Sequence, residues 1–153
     1  MRRVAGDGFP ASTLDALQAS LAGEHACVYG YGLVGAHAAG RDEDDVRTAL
    51  DTHRARRDQL ARQIRLRHAE PVAALPTYAV PFPVDGSAAA RRLAGLLEQR
   101  LAVLYADLVS VTSVPALREL AAERLVETAV LAARWTGDTT ALPGLDDVPE
   151  PDA

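Results

Sequence analysis

The chain has 153 residues, a formal net charge of -5, one cysteine, and sixteen basic residues that are all arginine. That length suits one domain with one sizeable core. With no lysine there is no Schiff base and no P-loop amine, and one cysteine excludes an intrachain disulfide or a thiolate metal cluster. The acidic balance disfavours nucleic acid and anionic membranes as partners. No apolar run reaches the roughly 18 residues of a membrane span, and GDGFPAST after Arg2 and Arg3 does not continue as a signal peptide. A cytoplasmic location is expected.

Residues 1–11 are expected to form a flexible arm. Ser12 and Thr13, with Asp15 behind them, mark a helix start. Leu14, Leu17, Leu21, Glu24, Val28 and Tyr31 then recur at gaps of three and four, the stripe of a helix reaching about Ala39. Gly30, Gly32 and Gly35 spell G-x-G-x-x-G inside it. A dinucleotide turn needs a strand before the glycines and a second strand ending in an acid. Around Asp51, at the tempting distance, RDEDDVRTALD opens a helix instead. The glycines are better read as helical, with Gly32/Ala36 and Gly35/Ala39 letting a neighbour approach; Cys27 reads as a buried apolar residue.

Asp42 to Asp45 open helix 2, where acids complement the helix dipole. Its stripe is Val46, Leu50, His53, Arg57, Leu60 and Ile64, ending near His68. Its seven arginines, Arg47 to Arg67, form a solvated, ion-paired face rather than a nucleic-acid surface. Pro71, Pro76, Pro81 and Pro83 then keep about 17 residues extended. Helix 3 starts near Ser87 and carries Leu93, Leu97, Leu101, Leu104 and Leu108. Pro115 suits the first turn of helix 4, which runs to Trp135 and closes at Gly137. From Asp138 the chain is an acidic tail. Extended at about 3.1 Å per residue, the link spans roughly 50 Å, against roughly 38 Å for a 25-residue helix. It therefore crosses the bundle and starts helix 3 parallel to helix 2. The prediction is an all-α, up-down four-helix bundle over residues 12–137 with one long extended crossover, the ferritin-like arrangement.

Glu24 and His53 fall on core positions, and a buried carboxylate needs a partner. Folding helices 1 and 2 back about residue 41 puts Glu24 opposite Arg57 and Asp58, and His53 opposite Tyr29. Glu98 and Glu127 come to a similar level on helices 3 and 4. In one reading Glu24, His53, Glu98 and Glu127 converge and hold iron or manganese. In the other, favoured here, Glu24 is neutralised by Arg57 or hydrogen-bonds to His53 or a tyrosine, the network is structural, and no resident cofactor is expected. His25 is a flanking hydrogen-bonding residue, and His37 and His68 lie near helix ends. A homodimer is expected from the small-residue faces.

LAGEHACVYGYGLVGA, HRARRDQL, PTYAVPFPVDG and YADLV together resemble an actinobacterial ferritin-like family of unknown function, over about residues 12–136. The resemblance implies a ferritin-like bundle and no established activity. It also implies structural roles for Arg56, Arg57 and Asp58 on helix 2, with Tyr78 and Phe82 covering the bundle from the crossover. The wider superfamily binds di-iron centres through Glu-x-x-His motifs. Here Leu50 precedes His53 by three, and Glu123 and Glu127 are followed at that spacing by Val126 and Val130.

Overall fold

The structure, a computed structural model, describes residues 12–139; the expected N-terminal arm and the tail from residue 140 lie outside them. Four α-helices are present among the described residues: α1 (Thr13–His37), α2 (Arg41–Arg65), α3 (Ser87–Val111) and α4 (Pro115–Thr136). The helix signals act as their chemistry demands. The Ser12 hydroxyl accepts from the Asp15 N–H, the Glu43 carboxylate accepts from the Gly40 N–H, and Pro115 fills the first turn of α4. Gly137 ends α4 at φ +83°, a left-handed conformation that costs glycine nothing. His68 takes the same region, φ 58°, just beyond α2. No described helix is long and apolar enough to cross a membrane.

Side-chain contacts fix the directions. Thr13, Ser20 and Cys27 of α1 reach the carbonyls of Val111, Leu104 and Leu97 of α3, so α1 and α3 run antiparallel. Gly35 of α1 meets Val46 of α2 while Glu24 meets His53, so that pair is antiparallel too. Helices α2 and α3 therefore point the same way. The link, residues 66–86, lies along α1: Gln18 bonds Glu70 and Val72, His25 bonds the Val72 carbonyl, and the Tyr29 and Tyr78 rings lie 5.4 Å apart. Arg92 stacks 4.3 Å over Phe82 at the entry to α3.

The core joins Leu17, Leu21, Tyr31, Ile64, Leu101, Tyr105 and Leu108, all fully buried. Helix α1 packs on α2 and α3, and α3 packs on α4, but no α2 backbone comes within 8 Å of α4, Cα to Cα. The glycines at closest approach are not those expected. Gly32 has open space around it, whereas a Cβ on Gly30 would stand 2.5 Å from Leu97 Cδ1 and one on Gly23 2.5 Å from Leu104 Cδ1. Close packing thus runs on the α3 side of α1 and offsets the roughly 1 kcal/mol that each helical glycine costs.

Candidate functional site: a buried polar chain at mid-bundle

Three expected site residues converge. Glu24, His53 and Glu98 are fully buried, one each from α1, α2 and α3. His53 Nδ1 lies 2.7 Å from Glu24 Oε2, and Nε2 lies 2.9 Å from Glu98 Oε1. Two phenols complete the chain: Tyr105 donates to Glu24 Oε1 and Tyr31 donates to Glu98 Oε1. The Trp135 indole N–H donates to the Tyr31 oxygen at 2.9 Å, and the Tyr31 ring stacks on His53 at 5.0 Å. All four helices contribute.

The electrostatics follow from this order. Burial pushes the His53 pKa down, but hydrogen bonds to Glu24 and Glu98 and their charges overcome it and raise it to about 9. The ring is an imidazolium at neutral pH, and both nitrogens donate. Burial, then the charge of Glu98, pushes the Tyr31 phenol far up, and burial and Glu24 do the same to Tyr105. Both remain hydroxyl donors. Cys27 is buried with its thiol well above the ordinary range, through burial and then the charges of Glu98 and Glu24, so it is not a poised nucleophile. Glu98 Oε2 is buried without a hydrogen-bond partner.

Three expectations need correction. Glu24 does not face Arg57 and Asp58; these bond each other, Arg57 Nε to Asp58 Oδ1 at 2.9 Å, on the outer side of α2. His53 stacks on Tyr31 rather than Tyr29. The α1–α2 register lies a few residues from the one that folding about residue 41 gives, and α2 presents Arg56 inward and Arg57 outward. Glu127 does not join the cluster: it is half-exposed and accepts from Arg56 and Arg124. Gly95 of α3 packs against Trp135 and Thr136, so Glu127 lies more than a turn away from the level of Glu98. Tyr31 lay on the α1 stripe, but periodicity did not mark it, Tyr105 or Trp135 as members of a polar chain, because an aromatic on a core stripe reads the same with or without a buried partner for its polar atom. Among the described residues, no group of three or more His, Cys, Asp or Glu side chains is arranged to hold a metal ion.

Comparisons with known proteins agree with the helical architecture. A crystal structure of a conserved hypothetical protein, rv2844, from Mycobacterium tuberculosis superposes with a TM-score of 0.80 at 33% identity, covering 86% of this chain and 98% of that one. No curated protein matches the chain. The family described as domain of unknown function (DUF4439) matches residues 16–147. The chain belongs to that family, whose signature region holds every residue of the buried chain just described.

Proposed function

We propose that this is a non-catalytic, ferritin-like domain with a depleted di-iron site, whose role is to bind or to support rather than to transform. One observation carries the reading: His53 uses both ring nitrogens on Glu24 and Glu98, at 2.7 and 2.9 Å. A doubly protonated imidazole has no lone pair for a metal. Both Glu24 oxygens and Glu98 Oε1 are likewise occupied. The donor set does not fit a two-metal carboxylate centre, which draws Glu-x-x-His from two helices. The residues three places after Glu24 and Glu98 are Cys27 and Leu101. In place of a metal, an imidazolium between two carboxylates supplies the positive charge. The likeness to a mycobacterial protein supports an actinobacterial setting.

The unpartnered Glu98 Oε2 is the feature that favours the second reading, a metal-dependent oxidoreductase or iron-handling protein. Elemental analysis of protein purified without chelator separates the two. The expected iron and manganese content is far below one per chain. Stoichiometric iron or manganese that disappears in Glu24→Ala would overturn the proposal.

A further inference from the structure

The seam between α2 and α4 is not closed by helix packing. It is a groove of about 700 Å³ whose walls carry Arg56, Arg62, Arg124 and Arg134 against Asp45 and Glu127. Four guanidiniums facing two carboxylates make this groove positive on a chain whose net charge is -5. Arg134 is held by Asp45 at 3.1 Å, and Arg62 has no carboxylate within 4.0 Å among the described residues.

Arg56 is the unusual member. Its side chain is only 6% exposed, yet it lines the groove, and its Nε is buried with no hydrogen-bond partner. Its Nη2 donates to Glu127 Oε2 at 2.7 Å, and Arg124 Nη1 donates to the same oxygen at 2.8 Å. Its Nη1 reaches Thr128 at 3.3 Å, and Arg124 Nη2 reaches Gln59 at 3.2 Å. Two guanidiniums thus share one oxygen of one side chain that is itself 51% exposed. The Nε/Nη edge of a guanidinium matches two oxygens of a tetrahedral oxyanion. On Arg56 that edge is half filled. An oxyanion with three free oxygens would take both positions on Arg56 and one on Arg124. Glu127 is half-exposed, so water can take over its carboxylate when a ligand displaces it.

We propose that the α2–α4 groove binds the phosphoryl group of a small phosphorylated molecule, gripped by Arg56 and Arg124, with Glu127 as the internal counter-ion that the ligand displaces. The groove wall also carries Ala49, Ala55 and Leu131, apolar surface for the organic part. The proposal rests on the reading of the domain as a binder, and the two fail separately, because the titrations use protein whose iron and manganese content has already been measured.

The experiment is calorimetric titration at constant ionic strength with inorganic phosphate and with phenyl phosphate. Wild type is expected to saturate with phenyl phosphate. A tighter Kd than for inorganic phosphate assigns an organic ligand, and an equal Kd assigns the oxyanion alone; both support the site. Arg124→Ala, on a part-exposed residue, is expected to weaken binding about tenfold or more, the equivalent of one charge-assisted hydrogen bond. Glu127→Gln is expected to tighten it several-fold. Arg54→Ala, on the exposed face of the same helix, is expected to change nothing. Absence of saturable binding in both wild type and Glu127→Gln overturns the proposal. So does binding that Arg124→Ala and Glu127→Gln leave unchanged, which would mark an adventitious ion only.

Discussion

The middle of the bundle and its α2–α4 seam both assemble acids and bases, yet they are built on opposite terms. At mid-bundle Glu24, His53, Glu98, Tyr31 and Tyr105 are fully buried, and every side-chain polar atom among them except Glu98 Oε2 has at least one partner inside the protein. At the seam only the Arg56 guanidinium is buried, while Arg124 and Glu127 stay part-exposed along a groove open to water. Charge removed from water must be matched locally or the fold suffers. Charge left in contact with water adds little to stability and keeps the freedom to exchange partners. The first region specifies the structure; the second is where a ligand can compete.

The largest effect should come from cutting the buried chain. His53→Ala leaves Glu24 and Glu98 buried without their shared cation, and a loss on the order of 3–5 kcal/mol is expected in urea unfolding. A loss below about 1 kcal/mol would mean that the two carboxylates do not depend on the imidazolium. Next is pH. The His53 pKa is about 9 in the fold against 6.5 ordinarily, so the native state holds this proton more tightly than the unfolded chain does. Its contribution is complete below about pH 6.5 and fades as pH rises through about 9, a decline on the order of 3 kcal/mol. Flat stability across that window, in chemical denaturation from pH 6 to 10, would show that His53 is neutral in the fold.

Trp135→Phe removes only the end donor of the chain, and about 1 kcal/mol is expected. Thermal unfolding would register it. The smallest effect is at the seam: Arg124→Ala should cost less than about 1 kcal/mol, because its partner Glu127 is half-exposed. If the seam variant proved as damaging as the core variant, the distinction between the two regions would fall.

Four helices, their order and the extended link were legible because caps, prolines and the three-four spacing are local signals. Glu24 and His53 stood out for the same reason, as polar residues on apolar stripes, whereas Glu98 was picked only by its level on helix 3. Arg56 and Arg57 follow His53 by three and four places, spacings that are both compatible with one helix face. Only packing chooses between them, and it turns Arg56 inward. Glu127 was misplaced because the offset of α4 against α3 depends on how tightly residues 112–114 turn, which no periodicity records. The seam was invisible for a further reason: sequence shows which faces are apolar but not that α2 and α4 stay apart.

That separation bears on motion as well as binding. Among the four helices, α2 has close backbone neighbours only in α1 and α4 only in α3, the α1–α2 packing being the sparser, whereas α1 and α3 are each gripped on two sides. Local opening starts where least contact is lost. Amide exchange should therefore be faster in α2, one wall of the arginine-lined cleft, than in α1 or α3.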